Sequence, residues 1–370
     1  MLILDIIFYS FVAIVFIQLF YYLVFLRTFA FLKPQPLPEQ NIPVSVIVCA
    51  KNEEENLKQF LPSIIEQNYP NFQIVLINDA SGDETLSVIE DFAEQHDCIK
   101  IVDVKNTEAF WANKKYALTL GIKAATHNHL LFIDADCKPV SKTWISEMTA
   151  AFQTDKSIVL GYGGYSKVKN SLLNKLIRFE TVFTASQYFS YAKLGIPYMG
   201  VGRNLAYTKT LFFEANGFIN HMNVRSGDDD LFVNQMATSK NTALCFSPES
   251  FTVSVPKKTL ATWLKQKRRH ISSAKYYKTS HQFLLGLFYL SQLLFWVVGS
   301  LLISSLYHWE IVTCLISLRI LIQWIVIGKT AKKLNESDLV GLIPILEIFI
   351  ILTQLVIFIS NKISKPRTWK

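Results

Sequence analysis

The placement of apolar residues limits this chain's architecture more than any other feature. Leu2–Leu26 carry a single charge, Asp5, and three more apolar blocks lie at the far end, at about Phe283–Leu306, Ile311–Gly328 and Leu339–Ser360. Between Lys33 and His281 no such block occurs. At 1.5 Å per residue a helix needs about 20 apolar residues to cross a hydrocarbon layer of about 30 Å. The first block meets that length and lacks the basic start and small-residue cleavage site of a signal peptide, so a retained anchor is expected. The expected order is an anchor over residues 1–28, a linker over 29–43, a polar domain over 44–255, a basic interfacial segment over 256–281 and a membrane cluster over 282–370. Composition agrees, with 51% hydrophobic and 18% charged residues, where soluble domains carry about a quarter charged.

The net charge of +8 has a local source. Lys257, Lys258, Lys265, Lys267, Arg268, Arg269, Lys275 and Lys278 form a run with no acid, directly before a span. Nucleic acid is one partner for such a run, but its juxtamembrane place favours lipid and the cytoplasmic side. Arg27 and Lys33, after the first block, agree. An integral membrane protein is expected, with the polar domain in the cytoplasm and no nucleic-acid partner. One point conflicts: four spans would put Lys362, Lys365, Arg367 and Lys370 on the opposite side. The middle terminal block, the shortest and interrupted by Arg319, is therefore a candidate for an interfacial or re-entrant segment, and three or four spans are expected, two to three of them C-terminal. The five cysteines have no close pairing, which speaks against a cysteine zinc site and suits a reducing compartment.

Residues 33–43 (KPQPLPEQNIP) read as an extended linker. Beyond it, short β-branched runs alternate with helical stretches: strands at Val44–Ala50, Gln73–Asn78, Ile99–Val104 and His129–Ile133, and helices at Glu53–Gln67, Asp83–Gln95 and Asn113–Thr126. This alternation implies an α/β fold with a mostly parallel sheet covered on both faces. Ligands then bind beyond the carboxyl ends of the strands.

Polar residues crowd those ends: Ala50-Lys51-Asn52-Glu53 after the first strand, Asp79 to Asp83 after the second, and Asp134-Ala135-Asp136 after the fourth, with Lys114 and Lys115 opening a helix between them. Two acids spaced i, i+2 past a strand can share one hard cation, Mg²⁺ or Mn²⁺, which would neutralise a diphosphate. Each piece alone has a plainer reading, as a turn, a helix cap or a solvated face.

Taken in order, VSVIVCAKNEEENL, INDASGDET, NKKYALTLGIKAA, LLFIDADCKP and SGDDDLF resemble the family 2 glycosyltransferases of GT-A fold, over about residues 43–270. The resemblance implies that Ala50, Asn52 and Glu53 lie along base and ribose and that Asp79 binds the base. It places Lys114 or Lys115 at the donor, Asp134 at donor sugar and ribose, and Asp136 on the metal. Such enzymes invert at the anomeric carbon and need a general base, expected among Asp228, Asp229 and Asp230. Aligning on the family's acidic pair points to Asp229, the choice here, while aligning on Leu231 points to Asp228. Crowded like charges raise at least one carboxyl's pKa, which suits a base. Gly202, Arg203 and Asn204 resemble the family's acceptor-side segment. Gln266, Arg269 and His270 resemble the Gln-X-X-Arg-Trp signature of membrane-embedded synthases, with His in place of Trp; Gln266 and Arg269 would hold the donor diphosphate and His270 would face the acceptor.

Leu260, Trp263 and Leu264 fall at helical spacing, so this segment is expected to lie on the membrane surface. Leu172–Tyr191 carries another apolar helical stripe, read as core or as a lipid-acceptor contact. The expected activity is transfer from a nucleotide-diphosphate sugar, a UDP-sugar first, to a lipid-linked or membrane-proximal glycan acceptor. The alternatives are a processive polysaccharide synthase, which the missing Trp disfavours, a transporter with a nucleotide-sensing domain, and a non-catalytic nucleotide-sugar-sensing membrane protein.

Overall fold

The computed structural model describes residues 2–105, 114–224 and 226–364. The chain opens with α1 (Leu2–Phe25) and then alternates β1 (Val44–Ala50), α2 (Glu54–Ile65), β2 (Phe72–Asp79), α3 (Thr85–Gln95), β3 (Ile99–Val104), α4 (Lys114–Ala124) and β4 (His129–Phe132). Next come β5 (Cys137–Pro139), α5 (Trp144–Ala150), β6 (Ile158–Leu160), β7 (Gly163–Tyr165) and the long α6 (Leu172–Lys193). After these follow β8 (Leu205–Thr208), α7 (Lys209–Glu214), α8 (Asp230–Met236), β9 (Thr242–Leu244) and β10 (Thr252–Ser254). The last helices are α9 (Leu260–Ile271), α10 (Thr279–Ser304), α11 (Trp309–Lys333) and α12 (Ile343–Ile363).

These elements form two compact units. In the α/β unit the main sheet runs β3-β2-β1-β4-β8-β6-β9, with β3, β2, β1 and β4 parallel and β8 antiparallel to both its neighbours. The parallel half follows from β-branched runs without alternation: Val44, Val46, Ile47 and Val48 are all at most 1% exposed. Leu57, Leu61 and Ile64 of α2 and Trp144 and Met148 of α5 join the core beside them. Each such aliphatic burial contributes about 1.5–3 kcal/mol. The mixed α/β fold expected from the alternation is therefore present, with strands and helices within a few residues of the expected bounds. Asn113 lies outside the described residues. Strand order reverses between β1 and β4, and this switch point is where an open α/β sheet leaves a crevice.

The second unit gathers the N-terminal helix, Asn170–Ser190 and Thr259–Lys365. Among the described residues, four helical segments of this unit are long and apolar enough to cross a membrane, at Leu2–Ala30, Thr279–Ser304, Trp309–Lys333 and Ser337–Ile363, and the chain is a membrane protein. The stripe at Leu172–Tyr191 is thus helix α6, whose residues to Ser190 belong to this unit. Phe183 stacks on Phe288 and Phe189 on Phe29.

The middle terminal block is not short, as expected, but a 25-residue helix, α11. Arg319 does not interrupt it because the charge is neutralised within the bundle. Its guanidinium lies 2.6 Å from Glu347, also donates to Gln18 and Gln323, and is fully buried. A buried charge needs such partners to be tolerated.

Candidate active site

The ends of β1 and β2 are knitted into one rim. Asn52 adopts a left-handed backbone (φ 52°), accepts from the Gly82 N–H at 2.8 Å and donates its own N–H to Ser81. The Glu53 N–H donates to Thr85 Oγ1 at 2.9 Å. Asp79 is 4% exposed and lies 3.7 Å from Lys51, whose ammonium also donates to the Asp79 carbonyl. Ala50 is buried at the end of β1. Ala50, Asn52, Glu53 and Asp79, which the resemblance sets along base and ribose, all lie on this rim.

Across the switch point, Lys114 at the start of α4 bridges two carboxylates. Its Nζ lies 2.8 Å from Asp134 Oδ1 and 3.1 Å from Asp228 Oδ2. Burial opposes its charge, but Asp134 and Asp228 outweigh that and hold the ammonium well above the usual lysine range. Lys114, Asp134, Gly202, Asp228 and Asp229 line one pocket together with Cys49. Lys115 does not join them. It is 1% exposed and donates to the carbonyls of His221, Val224 and Ser226 at 2.8–2.9 Å. Adjacent lysines on a helix point about 100° apart, so only one of the pair can face the pocket. Burial pushes Lys115 down to about 8.

The three aspartates divide their work. Asp228 pairs with Lys114. Asp230 is buried and accepts from the Leu231 N–H. Asp229 caps α8, accepting from the Asp230 N–H at 2.7 Å, and its second oxygen accepts from Gly202 N–H at 2.7 Å. Desolvation, then the charges of Asp228 and Asp230, push the Asp229 carboxyl up to about 7. A helix cap and a carboxyl poised near neutrality thus coincide in one residue. Gly227, at φ +88°, makes the turn that delivers the triad.

Asp134, Asp136 and Cys137 offer ligand atoms within 4.8 Å of one another. Burial, then Asp134 and Glu53, raise the Asp136 carboxyl. Two half-buried acids held this close together fit a cation. The Cys137 thiol lies 2.8 Å from Ser254 Oγ, and burial holds it well above the usual thiol range. The carboxylates therefore supply the donor set, which as oxygen ligands suits Mg²⁺ or Mn²⁺ over softer metals.

Arg203 stacks on Tyr165 at 4.3 Å and donates to Gly164 O at 3.1 Å and Ser254 Oγ at 3.4 Å; its charge offsets those around Asp136. The sequence had put it on the acceptor side. Asn204, expected beside it, turns inward: it is fully buried, accepts from Trp144 Nε1 at 3.0 Å and donates to Tyr162 O and Ser250 O. Gly202 alone of the three meets the pocket through Asp229. Gln266, Arg269 and His270 lie on α9, in the helical unit. Cys137, Tyr165 and Ser254 were missed from sequence. Only Cys137, next to Asp136, carried any local signal.

Residues 45–217 match glycosyl transferase family 2. A poly-beta-1,6-N-acetyl-D-glucosamine synthase of Staphylococcus epidermidis is 36% identical over 93 residues, 25% of this chain and 21% of that protein. A 4,4'-diaponeurosporenoate glycosyltransferase of Staphylococcus aureus is 30% identical over 122 residues, 33% of this chain and 31% of its own length. The chain thus spans well under half the length of these curated relatives. Among solved structures, a mannosyltransferase from Pyrobaculum calidifontis in complex with GDP-Man and Mn²⁺ superposes with a TM-score of 0.59 at 18% identity, covering 90% of this chain and 99% of its own, which establishes the fold. Residues 45–217 are thus a glycosyl transferase family 2 domain.

Proposed function

We propose that the chain is an inverting, metal-dependent transferase that moves a sugar from a nucleoside-diphosphate sugar to a lipid-linked or membrane-proximal acceptor, with its α/β unit in the cytoplasm. The observation that carries this reading is the meeting of two carboxylate groups at one crevice. Lys114 bridges from Asp134, beside Asp136, to Asp228, beside Asp229. The Asp134–Asp136 side suits a metal and diphosphate, and the Asp229 side suits an acceptor hydroxyl.

In the reaction the acceptor oxygen attacks the anomeric carbon and its proton passes to the Asp229 carboxylate. The bond from that carbon to the diphosphate oxygen breaks, and the nucleoside diphosphate leaves with the electron pair. A divalent cation on Asp134 and Asp136 would neutralise charge on that leaving group. Lys114 and Arg203 add fixed positive charge on the same side. A UDP-sugar is the first donor to test, and Asp79 at the rim is compatible with its base. The basic run before α10 supports the cytoplasmic orientation. The clustered apolar helices support a membrane acceptor.

The test is nucleotide release by detergent-purified protein across UDP-, GDP- and other nucleotide sugars, with Mn²⁺ or Mg²⁺ against EDTA, and with total lipid extract added. Release that needs the metal, rises with lipid and disappears in Asp136→Ala is the expected result. Folded protein that neither binds nor turns over any donor would instead support the sensing or transport reading. Product length on a gel separates single addition from the polymerisation named for the Staphylococcus epidermidis relative.

A further inference from the structure

We infer that α12 does not cross the membrane but is the returning limb of a re-entrant segment, residues 334–363, which enters and leaves on the side of α9. The exposed apolar stripe of α12 rests on acyl chains of that leaflet. The inference uses contacts within the helical unit only and holds whichever face of the membrane is cytoplasmic.

Three helices fix the frame. Helices α1 and α10 run antiparallel: Tyr21 Oη donates to Leu284 O at 2.9 Å near one end, and Tyr307 Oη, just beyond α10, reaches Asp5 at 2.5 Å near the other. Helix α11 returns after the turn at residues 305–308, and Lys333 at its end donates to the carbonyls of Phe29 and Leu32. The start of α10, the end of α11 and the residues just after α1 therefore share one face. Helix α9 shares it too, because it ends at Ile271 and α10 begins at Thr279.

Both ends of the segment that carries α12 lie on that face. From the end of α11 the chain turns back alongside that helix through the short helix Ser337–Leu342 and so enters α12 below the face. There Val340 accepts from Trp324 Nε1, and the preceding Glu336 and Asp338 pair with Arg178 of α6 at 3.0 and 2.5 Å. At the other end Arg268 of α9 donates to the Ser360 and Ser364 carbonyls and to Asn361 Oδ1, at 2.6–3.1 Å. A crossing segment separates its ends by about 30 Å of hydrocarbon, whereas Lys333 and Ser364 mark the same face. Near the start of α12, Glu347 reaches inward to Arg319, near the middle of α11, and to Gln292 of α10. This pins the first turns of α12 deep, and the rest of the helix rises back to α9.

The surface pattern agrees. Ile345, Ile348, Leu352, Val356, Ile359 and Ile363 are exposed at i, i+3 or i+4 spacing, one apolar stripe along a single face. Lipid tails are the occupant that needs no polar partner. The geometry also eases the charge conflict in the sequence, since Lys362, near the end of α12, lies on the side of α9 with Lys265, Lys267, Arg268 and Arg269.

The test uses the full chain with an epitope tag after Lys370, in sealed membrane vesicles of both orientations treated with protease. An antibody to the α/β unit reports which population exposes that unit. The expected result is loss of the tag in the same population in which the α/β unit is degraded. Loss of the tag only in the opposite population would overturn the inference. If tag and α/β unit are both degraded from the outer face, the inference stands and the cytoplasmic orientation proposed above falls.

Discussion

The backbone N–H of Gly202 donates to Oδ2 of Asp229 at 2.7 Å, tying the loop before β8 to the residue that caps α8. A Cβ at position 202 would stand 3.3 Å from that same oxygen. Glycine thus lets the donor approach without displacing the carboxylate. Gly202→Ala is expected to fold normally and to lower kcat about tenfold, because sub-ångström misplacement of a reacting group is costly. Steady-state kinetics, with a thermal melt as control, checks this.

With Asp229 raised to about 7, its carboxylate form grows as pH rises. As the base, it should give kcat/KM an acidic limb with a midpoint near 7. Asp229→Asn should lower turnover by about 10²–10⁴ and abolish that limb. Asp228→Asn removes one of the charges that raise it, so any residual activity should show the limb displaced to lower pH. A limb that stays in place would assign it to another group. The linkage has the opposite sign for stability. A raised carboxyl stabilises the fold fully below the ordinary carboxylate range, and that contribution is lost as pH climbs through about 7.

Lys115 satisfies three loop carbonyls just before the aspartate triad. Lys115→Met keeps the aliphatic stem and strands those carbonyls. The expected cost is about 2–4 kcal/mol, together with a fall in kcat as the loop loosens. Lys114→Met, by contrast, should impair donor turnover with a smaller loss of stability. Chemical denaturation and kinetics on the two variants separate the roles.

Arg319 and Glu347 are 0% and 1% exposed. Glu347→Gln leaves a buried guanidinium without its counter-charge, for which a loss of about 3–5 kcal/mol is expected. An Arg319→Met, Glu347→Leu double replacement should recover most of it. Melting temperatures in a fixed detergent, compared as a double-mutant cycle, give the answer.

The sequence by itself determined a good deal. Continuous β-branched runs such as Val44–Ala50 can only be strands buried on both faces, and apolar blocks of membrane length can only be bundled or lipid-facing helices. Acids placed directly after strands, Asp79, Asp134 and Asp136 among them, had to reach the sheet's carboxyl edge, because strand direction alone decides that.

Tertiary structure decided what a side chain does once it is there. Lys114 and Lys115 are alike in sequence, yet α4 turns one toward Asp134 and the other toward loop carbonyls more than a hundred residues later. Asn204 and Arg203 are neighbours, but the turn before β8 buries the first against Trp144 and stacks the second on Tyr165. Arg319 reads as an interruption until Glu347, from another helix, stands 2.6 Å away. The physical reason is the same in each case. Local sequence fixes periodicity and direction, whereas partners distant in the chain are supplied only by packing.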